Sequence, residues 1–239
     1  MPTKPKSVSK SKARTKKVEI LLDYHGLKVP KSPHLVEVIE KQLRAGRYEG
    51  PEVTGVAQIV KPEDRVLECG CGLGIVSGLA ALKNRPEAVL SFEANPELIE
   101  WIRALHVAND LDMMEVRNEL LMATPDRPKS VPFHLHENFL GSRLTEGGDY
   151  RETIEVKTAA FDDVKASFKP TVLVADIEGA ELEFLRNADL AGIRAVVIEF
   201  HPIVYNVAGM RECKRILTQA GFQRLDCSTR TVWTMERAA

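Results

Sequence analysis

The chain has 239 residues, of which 44% are hydrophobic and 28% are charged, and this composition is typical of a globular protein with a full core. No apolar run approaches the roughly 18 residues that a membrane-spanning helix requires, so we expect no membrane association. The chain holds 33 basic and 34 acidic residues, but seven of the basic ones and no acidic one fall in residues 1–17. The remaining 26 basic and 34 acidic residues argue against a domain built mainly to bind nucleic acid, which needs clustered lysine and arginine.

Residues 1–17 are predicted to form a disordered basic tail, because they are rich in lysine and small polar residues. Contact with nucleic acid or another anionic surface is the alternative for this tail, and the acidic remainder of the chain disfavours it. The tail also lacks the apolar stretch of a secretory signal. The four cysteines, Cys69, Cys71, Cys213 and Cys227, match neither a disulfide framework nor a C-x-x-C site, which predicts a reducing, cytoplasmic compartment.

Residues 18–60 are predicted to form a helical cover over a ligand cleft of the main domain, which would occupy residues 61–239. One helix is predicted over residues 35–44 and a second over residues 51–59. The apolar run at residues 18–22 is too short to assign to a helix or a strand.

A glycine-rich loop follows the first buried strand of the main domain, which is predicted from residue 65, and precedes an apolar helix predicted over residues 75–82. Glycine allows positive φ and leaves the N–H groups of a helix N-terminus open to a polar ligand, so the loop indicates a nucleotide-type cofactor. A purely structural turn is the alternative. A dinucleotide fingerprint would require glycine at position 75, where this chain has Ile75. The spacing instead resembles motif I of Rossmann-type S-adenosylmethionine (SAM) methyltransferases, and its glycines are Gly70, Gly72 and Gly74.

The alternation of strands and helices predicts an α/β fold with a parallel sheet. Further strands are predicted over residues 88–92, 113–117, 172–175 and 195–200, and the last two apolar runs form an antiparallel hairpin at the C-terminus. The predicted fold is therefore Rossmann-like and doubly wound, with a mostly parallel seven-stranded sheet. Ligands of such sheets bind at the carboxyl ends of the strands.

Several polar side chains follow these strands. Glu93 lies 19 residues after Gly74, near the spacing at which an acidic residue accepts hydrogen bonds from ribose hydroxyls. The alternative for Glu93 is a surface acid that caps the next helix. Asn118 or Glu119 is expected near the adenine edge. Glu68 would orient the glycine loop or reach the methionine end of the ligand, and Ala94 and Asp176 complete the predicted cofactor site.

Two runs with β-character, at residues 131–136 and 153–158, predict an antiparallel insertion over about residues 124–158. His134 and His136 share one face of such a strand, which is compatible with a metal ion. Because no third ligand lies nearby in the sequence, we favour ordinary strand histidines and predict no metal.

The stretch Asp-Ile-Glu-Gly-Ala-Glu at residues 176–181 resembles the hallmark of the FkbM family of SAM-dependent methyltransferases. The resemblance includes Phe-Glu-Ala-Asn-Pro at residues 92–96, Asn-Phe-Leu-Gly-Ser at residues 138–142 and Phe-Asp-Asp at residues 161–163. It covers about residues 60–205. Many members of the family have Asp-x-Gly-Ala-Asn-x-Gly as their glycine loop, whereas this chain has Glu-Cys-Gly-Cys-Gly-Leu-Gly.

The resemblance implies SAM as the cofactor and O-methylation of a hydroxyl group on a small molecule or sugar. Asp176 at the carboxyl end of its strand is the first choice for a base or substrate orienter, with Glu178 and His201 as assistants. Together with Glu199 they form a possible cluster of carboxylates and imidazole. The alternative for Asp176 is to cap the following helix.

Two other functions stay open at this point. The same fold could methylate a macromolecule, with the basic tail docking RNA or a protein, or it could be a Rossmann-like binding module without catalytic activity.

Overall fold

The computed structural model describes residues 18–136 and 150–238. The predicted basic tail at residues 1–17 and the motif at residues 138–142 lie outside the described residues.

The described residues contain twelve strands and seven helices. Numbered in chain order, they are β1 (Ile20–Tyr24), β2 (Leu27–Pro30), α1 (Glu37–Arg44), α2 (Gly50–Ile59), β3 (Arg65–Cys69), α3 (Ile75–Asn84), β4 (Ala88–Phe92), α4 (Pro96–Ala108), β5 (Met114–Arg117), β6 (Leu120–Met122), β7 (Ser130–His136), β8 (Tyr150–Ala160), α5 (Phe161–Phe168), β9 (Val172–Ala175), α6 (Glu181–Asn187), β10 (Ala195–Glu199), α7 (Pro202–Gln219), β11 (Phe222–Arg224) and β12 (Val232–Arg237).

A seven-stranded sheet has the spatial order β11-β12-β10-β9-β3-β4-β5. The five strands from β10 to β5 are parallel, whereas β12 runs antiparallel to both β10 and β11. Leu67 at the centre pairs with Leu90 on one side and Leu173 on the other. The predicted Rossmann-like α/β fold with a mostly parallel seven-stranded sheet is confirmed.

The parallel strands are buried on both faces, because helices cover each face of the sheet. Val66 belongs to the hydrophobic cluster that includes residues of α3 and α4, and its neighbour Leu67 belongs to the cluster that includes residues of α5, α6 and α7. The mainly apolar sequences of the inner strands β3, β4, β9 and β10 follow from this two-sided burial.

The N-terminal region contains a β-hairpin as well as helices, so the prediction of a helical cover was incomplete. Strands β1 and β2 pair antiparallel around a turn in which Gly26, at φ +95°, donates its N–H to the Asp23 side chain at 2.7 Å. In β2, the buried Leu27 and Val29 flank the exposed Lys28, which is a two-residue period that the short run did not reveal. The division of the chain after residues 17 and 60 stays a prediction.

Helix α2 packs directly on the sheet. A Cβ atom at Gly55 would lie 2.3 Å from Thr234 Oγ1 on β12, so the close approach of this helix requires glycine. This packing brings the N-terminal end of α2 to the carboxyl edge of the sheet.

A smaller sheet has the order β6-β8-β7, in which β7 and β8 are antiparallel and β6 runs parallel to β8. Strands β7 and β8 account for the two β-like runs, and β6 was not expected. Across residues 18–136 and 150–238, the helices are all too short or too polar to traverse a bilayer.

Candidate functional site

A cleft lies at the carboxyl ends of β3, β4 and β9, and its volume is about 1080 Å³ when the solvent space at its open mouth is included. Its lining combines apolar residues, among them Leu98, Leu120 and Phe133, with six acidic residues. None of the described residues in this lining is a lysine or an arginine. The acidic side chains are Glu49, Glu52, Glu68, Glu93, Asp176 and Glu178.

The glycine loop runs directly against the end of β9. Gly70 has a φ of +74°, and a Cβ atom at this position would lie 1.8 Å from the backbone oxygen of Asp176. Gly74, with a φ of +67°, precedes the first turn of α3 and packs against Ile102. Gly70 and Gly72 line the cleft, whereas Gly74 does not. The sequence therefore needs glycine at residue 70 to bring the loop and Asp176 together.

Glu93 is a buried part of the site, with an exposed fraction of 7%. Its Oε2 accepts a hydrogen bond from Gly72 N at 2.8 Å, and its Oε1 accepts one from Asn95 N at 2.8 Å. Burial raises the pKa of Glu93 to about 7. Asn95 provides the side-chain cap of α4, so the alternative of a capping surface acid does not describe Glu93. Each carboxylate oxygen keeps a lone pair for a ligand hydroxyl.

Glu68 lies beneath the glycine loop and lines the cleft. Its Oε2 accepts a hydrogen bond from the Ser91 hydroxyl on β4 at 2.6 Å, and burial raises its pKa. This contact ties Glu68 to the neighbouring strand β4, and its role in orienting the loop stays a prediction.

Asn118 and Glu119 lie outside the cleft lining, which differs from the prediction that one of them approaches the adenine. The Asn118 amide instead donates to the backbone oxygens of Glu93 and Ala94, at 2.9 and 3.0 Å. The reason is that β5 ends at Arg117 and the chain turns at once into β6, which brings leucines to the cleft. Ala94 lines the cleft as expected.

The carboxylates and the imidazole predicted to cluster are close together. His201 Nε2 lies 3.6 Å from both Asp176 Oδ1 and Glu178 Oε2, and His201 Nδ1 lies 2.9 Å from Glu181 Oε1. Asp176 and Glu178 line the cleft, and His201 lies next to them outside the lining. Burial and the neighbouring Glu199 raise the pKa of Asp176 well above its ordinary value. Burial lowers the pKa of His201, but the hydrogen bond to Glu181 and the charges of Glu181, Glu178 and Glu199 together raise it above its ordinary value.

The capping alternative for Asp176 is not seen. The residue before α6 is Ala180, and no side chain caps this helix in the usual way. Instead, Glu181 Oε1 accepts a hydrogen bond from Gly179 N at 3.0 Å. Asp176 is therefore left facing the cleft.

Sequence reasoning missed three acidic residues of this region. Glu49 and Glu52 come from the start of α2, and Glu181 comes from the start of α6. Burial raises the pKa of Glu49 to about 8 and that of Glu52 to about 7. The sequence places Glu49 and Glu52 at the start of a predicted helix. It does not indicate where that helix packs, so it could not predict that these two residues reach the cleft.

The two histidines of β7 are ordinary strand residues in their contacts. His134 is buried, and its Nδ1 lies 2.9 Å from Thr153 Oγ1 on β8. His136 packs at the edge of the Tyr150 ring.

Comparison with known proteins places the chain in a family. Residues 75–224, more than half of the chain, match the model of the methyltransferase FkbM domain. No curated protein matches the chain.

Solved structures match the chain at low identity. A ribosomal protein L11 methylase from Lactobacillus delbrueckii subsp. bulgaricus is 13% identical with a TM-score of 0.48, over 80% of this chain and 78% of that chain. P. horikoshii TYW2 in complex with MeSAdo is 15% identical with a TM-score of 0.46, over 91% and 69%. A precorrin-6y C5,15-methyltransferase from Geobacter metallireducens is 11% identical with a TM-score of 0.45, over 80% and 89%. By its family match, the chain belongs to the FkbM family of SAM-dependent methyltransferases.

Proposed function

We propose that the protein transfers the methyl group of SAM to a hydroxyl group of a small molecule or a sugar. The observation that carries this proposal is the contact between the glycine loop and Asp176. It puts a carboxyl group with a raised pKa at the wall of the cofactor cleft, where an acceptor would have to lose a proton.

The residues of the cleft suit SAM. The loop at Gly70 and Gly72 offers backbone where any side chain would collide or strain, and Glu93 offers carboxylate oxygens for ribose hydroxyls. Leu120 and Phe133 provide an apolar surface for a base ring. When bound, SAM supplies an electrophilic methyl group on a sulfonium, whose carbon–sulfur bond breaks as the carbon–oxygen bond forms. The acidic lining without lysine or arginine favours such a cation.

Asp176 is proposed to accept the proton of the acceptor hydroxyl. A raised pKa makes this carboxylate a stronger base near neutral pH than an exposed aspartate. His201, held by Glu181, and Glu178 position the carboxylate from its outer side. The apolar residues of the cleft exclude water from the reacting atoms.

We also propose that the protein works in a reducing compartment such as the cytoplasm. Its four cysteines are all free, and three of them are buried.

Cofactor binding is tested by thermal unfolding with SAM or its demethylated product. A ligand at about 100 times its Kd adds about 2.7 kcal/mol, which raises the Tm of a chain of this size by roughly 5–11 °C. We expect this shift in the wild type and in Glu212→Gln, a partly exposed carboxylate that pairs with Arg186 and lies outside the cleft lining. Glu93→Ala should lose the shift. An unchanged melting curve of the wild type would remove the cofactor assignment from this cleft.

The acceptor class is tested by transfer from methyl-labelled SAM to pooled sugars and hydroxylated small molecules, to RNA and to protein. We expect label in a low-molecular-weight methyl ether. Asp176→Asn should keep the thermal shift with SAM and lose at least 100-fold in turnover. Label in RNA or protein would favour a macromolecular acceptor, and cofactor binding without transfer to any pool would favour a binding module. Either result contradicts the proposal.

A further inference from the structure

Three side chains with metal-binding atoms meet at the ends of two neighbouring strands. Ala175 of β9 pairs with Ile198 of β10, so Asp176 and Glu199 leave the sheet side by side, and His201 follows two residues later. One ligand atom of each of these three residues lies within 4.8 Å of the others. Within residues 18–136 and 150–238, this is the one such group of three or more possible ligands.

The imidazole of His201 is held in the way that is common for histidines that bind metal ions. Its Nδ1 lies 2.9 Å from Oε1 of Glu181, a carboxylate that is completely buried and also accepts from Gly179 N. A carboxylate that accepts a hydrogen bond places the proton on Nδ1 and leaves the Nε2 lone pair free. Histidines that bind metals hold their second nitrogen in this way. Nε2 is the atom that faces Asp176, at 3.6 Å.

Unsatisfied buried atoms provide a second observation. Asp176 Oδ1 is inaccessible to solvent and has no hydrogen-bond partner, and the same is true of Oε2 of Glu181. The side chain of Glu181 is entirely buried and holds the imidazole through its other oxygen. Buried polar atoms are nearly always satisfied, so the unsatisfied Oδ1 of Asp176 calls for a missing partner. A cation beside Asp176 supplies one.

The charge of the surroundings favours the same partner. Glu49, Glu52 and Glu178 add further carboxylates to this end of the cleft, and no lysine or arginine of the described residues lines it. His201 is the one basic side chain beside this group of carboxylates in the part of the chain that the structure describes. Several converging carboxylates are costly to bury, and a divalent cation reduces that cost further than one imidazole can.

We propose that Asp176, Glu199 and His201 bind one divalent cation at the rim of the cleft. Two carboxylate oxygens and one imidazole nitrogen form a mixed set that suits Mn²⁺. An octahedral ion with bonds of about 2.1 Å needs ligand atoms about 3 to 4.2 Å apart, so the side chains need only small movements from their present spacing.

The cation would bind the acceptor through the positions that the protein leaves open. This role rests on the proposed function. A hydroxyl oxygen held by the cation becomes more acidic, so its proton passes to the Asp176 oxygen that does not bind the cation, and the hydroxyl oxygen keeps the electron pair that forms the new bond to the methyl carbon. The acceptor class then narrows to compounds whose hydroxyl group can reach a metal ion.

The test is a Mn²⁺ titration of the full-length protein after treatment with a chelator, followed by electron paramagnetic resonance. We expect one bound ion per chain and nitrogen hyperfine coupling from an imidazole. His201→Gln should remove the nitrogen coupling and weaken binding at least tenfold, and Glu199→Gln should weaken it to a similar extent. The matched control is Asp189→Asn, an exposed carboxylate paired with Lys165, which should bind Mn²⁺ like the wild type.

The outcomes distinguish a failure of the proposed cation site from a failure of the proposed function. Glu93→Ala should lose SAM binding and still bind Mn²⁺, since Glu93 is not among the three ligands. Mn²⁺ that does not bind at millimolar concentration, or that binds His201→Gln with unchanged affinity, would overturn the site. A full rate of methyl transfer in the presence of a chelator would overturn its role in the reaction. Bound Mn²⁺ in a protein that methylates no hydroxyl would instead contradict the proposed function.

Discussion

Replacing Gly70 with alanine would test whether the glycine loop and Asp176 are held in contact by the absence of a side chain. The new Cβ atom would lie 1.8 Å from the Asp176 backbone oxygen and 2.9 Å from its carbonyl carbon. Backbone atoms of a buried strand end cannot rotate away as a side chain can. The loop or the end of β9 must therefore move.

The size of the effect follows from two separate costs. Alanine in the left-handed region costs roughly 1–2 kcal/mol, and relief of a steric clash in a packed region costs roughly 1–3 kcal/mol more. Gly192 isolates the first cost, because its φ is +84° and a Cβ atom there would contact nothing within 4 Å. We expect the free energy of unfolding to fall by about 1–2 kcal/mol in Gly192→Ala and by about 2–5 kcal/mol in Gly70→Ala.

Urea unfolding measures both variants, and calorimetric titration measures their affinity for SAM. Gly70→Ala should bind SAM at least tenfold more weakly, whereas Gly192→Ala should bind like the wild type. Equal losses of stability in the two variants, or unchanged SAM affinity in Gly70→Ala, would refute the argument that contact with Asp176 fixes the loop.

Two further predictions concern buried carboxyl groups. Burial raises the pKa of Glu52 from 4.5 to about 7, so the folded state retains a proton that the unfolded chain has released, and the free energy of unfolding falls as the pH rises from about 4.5 through 7. Glu52→Gln should reduce this fall by at most about 3 kcal/mol in urea unfolding between pH 5 and 8, and parallel pH profiles would contradict it. Arg194→Met should cost about 3–5 kcal/mol at pH 7, because it leaves the Asp64 carboxylate buried without its cation. Burial opposes ionisation of Asp64, but hydrogen bonds from Arg194 and Thr171 hold its pKa below the ordinary value. The stabilisation by this ion pair is therefore present above about pH 3.8 and is lost as the pH falls through the lowered pKa. A loss of less than 1 kcal/mol at pH 7 in Arg194→Met would argue against the contribution of the Arg194–Asp64 pair.

The sequence was sufficient to predict the sheet because its signals are local. Most of the parallel strands are short, mainly apolar runs, and β4 and β9 are each followed by an acidic side chain at the edge where ligands bind. Glu93 and Asp176 could therefore be assigned to one cleft before any contact was known. The carboxyl ends of neighbouring parallel strands meet by topology alone.

What could not be predicted depends on packing between distant segments. Glu49 and Glu52 reach the cleft because α2 lies on the sheet at Gly55, which contacts a strand almost 180 residues later in the chain. Nothing local in residues 49–55 indicates that contact. The position of Asn118 could not be predicted for a similar reason. A polar residue at a strand end can face a ligand or stabilise the neighbouring turn equally well, and the Asn118 amide does the second by donating to the backbone oxygen of Glu93.

The acidic lining leads to a last prediction about the difference between SAM and its demethylated product. SAM carries a positive sulfonium, and the product carries a neutral thioether, so the two differ by one positive charge at the reacting atom. The pKa of Glu49 is about 8, and those of Glu52 and Glu93 are about 7. These groups are protonated at pH 6 and ionised at pH 9. The preference of the protein for SAM over the product should therefore increase as the pH rises through this range.

Calorimetric titration of both ligands at pH 6 and pH 9 measures this preference as a ratio of dissociation constants. A unit charge about 8 Å from an ionised carboxylate gains about 2 kcal/mol at an effective dielectric constant of about 20, and shared protons reduce that gain, so we expect the ratio to change about three- to tenfold. Glu52→Gln removes one of the titrating groups and should flatten the change. A ratio of dissociation constants that does not depend on pH would show that ionisation of these carboxylates does not stabilise the sulfonium charge. In that case the acidic lining would serve a different cation, and the site at Asp176, Glu199 and His201 would be the place to look for it.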